Sequence, residues 1–335
     1  AKTAREIAHG PLCDPARGGR PMIYLNIGEP DFTAAPLVVE AAARCMAEGR
    51  TQYTPATGTP QLREAISRWY AERFRLAIDP GRIVVTAGAS AALQLITLAL
   101  VDAGDEVLLP DPSYPCNRHF VAAALGRPVL LPSTAEHRFQ LDAAAGEAPW
   151  GARTRGVLLA SPSNPTGAVY TSDEIRAIGR WVDDHGLWVL TDEIYEHLVY
   201  GDARFSSLPA LVPDIADRCV VVNGVAKTFA MTGWRVGWMI GPKDVVKGAA
   251  NLQSHATSNV SNVAQVAALA AVSGPLDAVA EMRTAFDRRR RTIVSMLSDI
   301  PGVTCPEPEG AFYVYPSVKG VLGRSINGTT INSSM

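Results

Sequence analysis

The chain alternates short apolar runs typical of strands with longer amphipathic stretches typical of helices. Helix-like stretches include 61–74 and 173–185, and strand-like runs lie near Ile83, Val107, Val157, Trp188, Val220 and Val236. Strands separated by helices are characteristic of a mostly parallel sheet with helices on both faces. The sequence therefore predicts an α/β, doubly wound fold. Its 335 residues, 47% of them hydrophobic, are enough for a large core and two domains.

Three segments rich in polar side chains directly follow strand-like runs. They are Ser-Pro-Ser-Asn-Pro-Thr-Gly at 161–167, Thr-Asp-Glu-Ile-Tyr at 191–195 and Asn-Gly-Val-Ala-Lys at 223–227. Ligands of doubly wound sheets bind beyond the carboxyl ends of the strands. We therefore expect the three segments to meet in one site.

The residue types in and near these segments match the needs of a phosphorylated aldehyde cofactor. The amine of Lys227 can bond covalently to an aldehyde, and Arg235 is a fixed cation for a phosphate. Asp192 can keep a pyridine nitrogen protonated, so that the ring takes up electrons from a breaking bond. Asn164 and Tyr195 can donate hydrogen bonds to a phenolate oxygen on the ring. Each residue alone is more often a surface charge, a helix cap or a turn, and the inference depends on their combination.

Seven segments in a fixed order resemble a known family. Three are those above, and the one that contains Lys227 is counted together with 231–237 around Arg235. The other four are Asn-Ile-Gly-Glu-Pro-Asp-Phe at 26–32, Tyr-Thr-Pro-Ala-Thr-Gly at 53–58, Thr-Ala-Gly-Ala-Ser at 86–90 and Pro-Ser-Tyr-Pro at 112–115. From about residue 24 to residue 315 the chain resembles a fold-type I pyridoxal-phosphate-dependent aminotransferase of class I/II, the relatives of aspartate aminotransferase. The resemblance implies a seven-stranded sheet in a large domain, residues 39–279. It also implies a smaller α/β domain built from both termini, residues 1–38 and 280–335.

The resemblance also implies roles for individual residues. Lys227 would hold pyridoxal 5'-phosphate and move a proton, with Asp192 and Tyr195 as the other catalytic groups. Gly28 and Asn164 would bind the substrate, with the backbone of Gly28 against its carboxylate. The cofactor would further be bound by Asn164, Arg235, the helix-start amides of Gly88, Ala89 and Ser90, the stacking ring of Tyr114, and Tyr53 from the neighbouring subunit of a homodimer.

The expected reaction is ping-pong transamination between an L-amino acid and a 2-oxo acid. Two alternatives stay open. One is a pyridoxal-phosphate-dependent carbon–sulfur lyase, which would use the same cofactor contacts, and the other is a non-catalytic aminotransferase-like binding module. A nicotinamide-dependent oxidoreductase is disfavoured because the Gly-x-Gly-x-x-Gly spacing is missing after the strand that precedes Gly88.

The sequence departs from the family pattern at two places. Gly224 stands three residues before Lys227, where many relatives have a serine that helps to bind phosphate. The family's arginine that clamps the substrate's α-carboxylate has no match, and the expectation is that the C-terminal part is incomplete. The segment 316–335, with few apolar residues, is interpreted as a loop.

Composition excludes several other classes of protein. A net charge of -2 argues against a general nucleic-acid binder, and the basic run 288–291 is expected to be the solvated face of a helix. The five cysteines form no Cys-x-x-Cys pair and there is no histidine cluster, which predicts reduced structural thiols and no metal site. No apolar stretch approaches about 18 residues and none has the form of a signal peptide, so we expect no membrane partner and a cytoplasmic location.

Overall fold

The computed structural model of the protein describes residues 27–141, 143–147, 149–326 and 328–333. Seven strands form one sheet: β1 (Ile83–Thr86), β2 (Glu106–Asp111), β3 (Arg127–Pro132), β4 (Thr154–Ala160), β5 (Trp188–Asp192), β6 (Cys219–Gly224) and β7 (Gly237–Ile240). Their order is β1-β7-β6-β5-β4-β2-β3. Only β7 runs antiparallel to its neighbours, β1 and β6, and the other pairs are parallel. The predicted mostly parallel, seven-stranded α/β sheet is confirmed.

The helices lie between the strands in the chain order that the alternation predicts. They are α1 (Pro36–Ala47), α2 (Pro60–Phe74), α3 (Ala89–Leu100), α4 (Cys116–Ala123), α5 (Ala143–Glu147), α6 (Ser172–Asp184), α7 (Leu208–Leu211), α8 (Val225–Thr228), α9 (Lys243–Ala256), α10 (Asn262–Ser273) and α11 (Asp277–Ser298). The start of α6 has a sequence-encoded cap, since Thr171 accepts from the Glu174 amide while the Glu174 carboxylate accepts from the Thr171 amide. The predicted helices at 61–74 and 173–185 therefore agree with α2 and α6 to within one residue.

Alternate side chains of each strand enter two separate cores. Val221 of β6 belongs to the core covered by α1, α2, α6 and α10, whereas Val220 and Val222 belong to the core covered by α3, α4 and α9. Every residue of β6 is buried, as expected for a central parallel strand covered on both faces. The sheet is therefore the middle of three layers, with the carboxyl ends of its parallel strands at one edge.

A third, smaller core joins the C-terminal segment to the loop after β5. Met282 and Phe286 of α11 pack with Tyr195, Leu198 and Ala311. The amide of Ala311 also donates to the Leu198 carbonyl at 2.8 Å. These contacts hold the segment 310–313 beside the carboxyl end of β5.

Two expectations about the C-terminal region are corrected. Arg290, expected to be part of a solvated face, has a side chain only 12% exposed that bonds Asp287, Glu307 and the Pro308 carbonyl. It faces inward because α11 turns one face toward the chain that returns at 307–308. The segment interpreted as a loop contains a short antiparallel pair, Ser325–Ile326 with Thr329–Thr330. Between these strands Gly328 has a φ of 81°, which glycine adopts without strain.

Other expectations concern absences or lie outside the described part of the chain. Cys13 and residues 1–26 of the expected small domain are not among the described residues. Of the described helices, no single one is long and apolar enough to cross a bilayer; α10 and α11 meet that test only together, bent by 81°. No three described His, Cys, Asp or Glu side chains are grouped to hold a metal ion.

Two buried glutamines fix the loop that follows Tyr53. The Gln265 Oε1 accepts from the Thr59 amide at 2.8 Å, and its Nε2 donates to the Thr54 hydroxyl and the Val260 carbonyl. Gln253 similarly bonds this loop and β1, through the carbonyls of Ala56 and Val85. The position of the loop is therefore set by side-chain amides inside the core.

Replacing Gln265 by leucine is expected to lower the free energy of unfolding by about 2–4 kcal/mol. The change leaves the Thr59 amide without its acceptor, and an unpaired buried group costs about 1–3 kcal/mol. It also removes the bonds to the Thr54 hydroxyl and the Val260 carbonyl, although that carbonyl keeps the Asn259 amide as a donor, and each lost bond costs about 0.5–1.5 kcal/mol. Urea unfolding of the variant measures this directly. Gln52→Leu is the matched control, because the Gln52 amide bonds the Gly49 carbonyl at the surface. Equal stability of the two variants would contradict the prediction.

Candidate active site

A cavity of about 330 Å³ lies beyond the carboxyl ends of the parallel strands β4, β5 and β6. Nine of the residues predicted from the sequence line it: Gly28, Ala89, Ser90, Tyr114, Asn164, Asp192, Tyr195, Lys227 and Arg235. A larger cavity of about 840 Å³, between the end of α2 and the first half of α11, contains none of them. The smaller cavity is therefore the candidate active site.

Lys227 lies on α8, the single helical turn that begins immediately after β6. Its Nζ donates a hydrogen bond to the Gly28 carbonyl at 2.5 Å and is 5.5 Å from the centre of the Phe312 ring. Burial lowers the pKa of Lys227, although the nearby Glu29 and Asp192 carboxylates oppose that effect. A lowered pKa increases the fraction of neutral amine, which is the nucleophilic and proton-accepting form.

Asp192 is the last residue of β5 and lies at the wall of the cavity. Burial raises the pKa of Asp192 to about 6, while the hydrogen bond from the Ile194 amide and the charge of Lys227 act in the opposite direction. A carboxyl group with this pKa can share a proton with a basic ring nitrogen near neutral pH.

Three other side chains that line the cavity form a hydrogen-bonded group. The hydroxyl oxygens of Tyr195 and Tyr313 are 2.5 Å apart, and the Asn164 Nδ2 donates to the Tyr313 hydroxyl at 3.3 Å. Burial raises the pKa of Tyr195 well above its ordinary value and the pKa of Tyr313 to about 12. Both phenols therefore stay protonated at neutral pH, as hydrogen-bond donors.

Tyr313 is a residue of the site that sequence reasoning missed. It lies within the stretch 24–315 that resembles the family, but nothing in the local sequence separates Tyr313 from a packing residue. It enters the cavity because the bridge between Val199 and Gly310 and the contacts of Ala311 bring the segment to β5. The sequence signal that could have found it is a polar aromatic residue within the stretch that resembles the family.

Arg235 and the start of α3 form a second group of residues at the cavity, suited to an anion. Gly88, at the start of α3, has a φ of 86°, and a Cβ placed there would lie 2.5 Å from an Arg235 guanidinium nitrogen. The absence of a side chain at Gly88 lets the Arg235 cation rest against the helix start, whose first amides are those of Ala89 and Ser90. Backbone amides at a helix N-terminus together with an arginine suit a phosphate group.

Tyr53 does not reach this cavity in its own subunit. It is 87% exposed and is absent from the cavity wall. Its predicted role requires a second copy of the chain and stays a prediction.

Comparison with known proteins identifies the family. The sequence profile of the family described as "Aminotransferase class I and II" matches residues 20–326. A Streptomyces avermitilis protein named aspartate aminotransferase is 56% identical over 311 residues, which cover 92% of this chain and 76% of the relative. A relative of the same name from Geobacillus stearothermophilus is 41% identical, covering 90% and 77%.

Solved structures agree with this similarity. The aspartate aminotransferase of Rhizobium meliloti has a TM-score of 0.89 at 38% identity, covering 96% of this chain and 84% of its own. The Thermus thermophilus aspartate aminotransferase with maleate has a TM-score of 0.86 at 35% identity, covering 94% and 82%. The chain belongs to the class I and II aminotransferase family. It is a pyridoxal-phosphate-dependent enzyme that transfers amino groups between amino acids and 2-oxo acids, and the similarity supports neither the lyase nor the non-catalytic module.

The cavity fits this cofactor on its own geometry. It brings together the Arg235 cation, which rests against Gly88, with the Asp192 carboxyl and the Lys227 amine. Asn164 and Tyr195 both bond one phenolic oxygen, that of Tyr313. The two side chains thus direct hydrogen-bonding groups at one phenolic oxygen, and the cofactor ring presents an oxygen of the same kind.

Proposed function

We propose that the 330 Å³ cavity is the active site and that aspartate is the amino donor of this aminotransferase. The observation behind the site assignment is the convergence of Lys227, Asp192, Asn164 and Tyr195 on one cavity at the strand ends. The choice of aspartate is supported by relatives named aspartate aminotransferase, up to 56% identical.

When bound, pyridoxal phosphate supplies an electron sink for the bond that breaks at the substrate's α-carbon. Lys227, held at the Gly28 carbonyl, is the group placed to remove and return the α-proton. Its lowered pKa keeps part of the amine population neutral and able to accept that proton. Asp192 keeps the pyridine nitrogen protonated, and Asn164 and Tyr195 donate to the ring oxygen.

The remaining residues hold and orient the cofactor in this proposal. Arg235 with the amides of Ala89 and Ser90 binds the phosphate, and the half-buried ring of Tyr114 stacks on the pyridine face. Burial raises the pKa of Tyr114, so its phenol stays neutral beside that ring.

Tyr53 completes the phosphate site from the neighbouring subunit of a homodimer, which agrees with its exposed ring on a loop fixed by Gln253 and Gln265. We further propose a large domain at 39–279, a small domain at 1–38 with 280–335, and a cytoplasmic location.

A comparison of amino donors tests the proposed function. Purified enzyme with pyridoxal phosphate is assayed with 2-oxoglutarate and a panel containing aspartate, alanine, phenylalanine and cystathionine. We expect kcat/KM for aspartate to exceed that for alanine and phenylalanine by at least about tenfold, because a site that pairs with a polar group rejects analogues without it. A preference for phenylalanine would contradict the substrate, and pyruvate and ammonia from cystathionine would contradict transamination.

A further inference from the structure

The hydroxyl group of Tyr313 lies where three parts of the site meet. It is 2.5 Å from the Tyr195 hydroxyl and accepts a hydrogen bond from Asn164. It also lies against Gly28, since a Cβ at that glycine would be 2.2 Å from the Tyr313 oxygen. A side chain at position 28 would force this phenol to move.

Gly28 also contacts the reactive amine, which places Tyr313 relative to the chemistry. The Lys227 Nζ bonds the Gly28 carbonyl at 2.5 Å, so the amine and the Tyr313 hydroxyl touch the same residue. In an α-amino acid the amine and the carboxylate are attached to one carbon, through bonds of about 1.5 Å each. A substrate whose amine replaces that of Lys227 therefore has its carboxylate within reach of Gly28, Asn164 and Tyr313.

We propose that Tyr313 binds the α-carboxylate of the amino acid substrate, donating its hydroxyl proton beside the amide of Asn164. The inference depends on the proposed function, in which Lys227 is the reactive amine held at the Gly28 carbonyl. Tyr313 is thus a substrate-binding residue for both halves of the reaction, since amino acids and 2-oxo acids carry the same carboxylate.

The hydrogen-bonding capacity of the phenol agrees with this role. A phenolic oxygen can accept two hydrogen bonds and donate one, so with Asn164 as a donor the Tyr313 proton remains available for an acceptor. A carboxylate is a stronger acceptor than a second neutral phenol. Because burial raises the pKa of Tyr313 to about 12, the hydroxyl is a neutral donor at neutral pH.

The ring of Tyr313 is held independently of its hydroxyl. Phe312, its neighbour, stacks on Phe286 with ring centres 5.1 Å apart, and the Tyr200 hydroxyl bonds the Ala311 carbonyl. Tyr313 itself packs edge-on against the Tyr195 ring at 5.7 Å. Tyr313→Phe therefore removes one donor while leaving the ring and the backbone in place.

The test compares Tyr313→Phe with wild type in three measurements on the cofactor-loaded enzyme. They are the dissociation constant of maleate by calorimetry, KM and kcat for aspartate and alanine, and the cofactor content by visible absorbance. Maleate is a dicarboxylate with no amino group, so its binding reports carboxylate recognition without turnover. We expect both the maleate dissociation constant and KM for both amino acids to rise by about 10- to 100-fold, the range for losing a hydrogen bond to a charged group. The change in kcat is expected to be less than about threefold, with unchanged cofactor content.

Tyr315→Phe is the matched control. Tyr315 is 42% exposed, packs on Phe139 and lies outside the cavity, so its variant is expected to match wild type in all three measurements. An unchanged maleate dissociation constant and KM in Tyr313→Phe would overturn the inference. Loss of cofactor with unchanged maleate affinity would also overturn it, because Tyr313 would then act on the cofactor through Tyr195. Wild-type enzyme that transfers no amino group from any donor would instead refute the proposed function.

Discussion

Replacing Lys227 by alanine is expected to lower kcat for transamination by about 10⁴-fold, the upper end of what one positioned acid–base group supplies. In the described residues, no other amine lines the cavity with Lys227. The carboxyl of Asp192 cannot take over the proton transfer, because it is needed at the ring nitrogen in the proposed arrangement. In the proposed site Lys227 also holds the cofactor covalently, so the visible absorbance of the purified variant should fall or shift.

The same experiment separates chemical failure from misfolding. Arg235 and the start of α3 remain in Lys227→Ala, so the variant should still bind added pyridoxal phosphate non-covalently and be stabilised by it in a thermal unfolding scan. The control is Lys247→Ala, which removes an exposed lysine of α9 and is expected to match wild type. Activity of Lys227→Ala within tenfold of wild type would refute the assignment of Lys227 as the catalytic amine.

The sequence predicted the fold through a single regularity, the alternation of apolar runs with amphipathic stretches. It located six of the seven strands and missed β3. The omission of β3 has a physical reason. This strand pairs only with β2 at the edge of the sheet and is mostly half-buried. It also contains Pro128 and Pro132, and prolines favour an edge strand or no strand. An edge strand needs neither the continuous apolar run nor the strict alternation by which the central strands are found.

Most of the site was predictable because parallel strands bring their carboxyl ends together. Asn164, Asp192 and Lys227 come from three strands, yet their positions just after those strands were enough to predict that they meet. Tyr313 is far from any of these strands in sequence. It reaches the site through packing in the third core, and tertiary packing of that kind leaves no local pattern.

The inward turn of Arg290 could not be predicted for a similar reason. A run of four basic residues on a helix usually faces water. Asp287, one turn earlier on the same helix, is one partner of Arg290. The inward turn also depends on chain that returns later, here the Glu307 carboxylate and the Pro308 carbonyl. Sequence periodicity describes the helix but not its distant neighbours.

The second large effect is expected for Asp192→Asn, which should make the enzyme less active and the cofactor-free protein more stable at neutral pH. Asparagine keeps an acceptor for the Ile194 amide but carries no charge to hold a proton on the ring nitrogen. We expect kcat to fall by about 10²–10³-fold, as for the loss of one preorganised electrostatic contact. The measurements are steady-state kinetics and urea unfolding of the cofactor-free protein between pH 4 and pH 8.

The stability gain follows from the pKa of Asp192, which is about 6 in the folded protein against an ordinary value of 3.8. Between these two values the folded state binds more protons than the unfolded state, so the stability of wild type falls as the pH rises through that window. The difference corresponds to at most about 3 kcal/mol above pH 6. The gain is smaller than this limit, because Asp192 also raises the pKa of Lys227 and that support is lost.

Asparagine at 192 does not titrate, so the two proteins should be equally stable near pH 4 and diverge between pH 4 and pH 6, with the variant more stable above. Asp202→Asn, at an exposed position in the loop before α7, is the control and should follow wild type at every pH. A constant difference between Asp192→Asn and wild type across this range would mean that ionisation of Asp192 does not destabilise the fold. The predicted pattern would instead mean that the wild-type protein accepts a buried carboxylate at a stability cost because the cofactor-loaded site needs its charge.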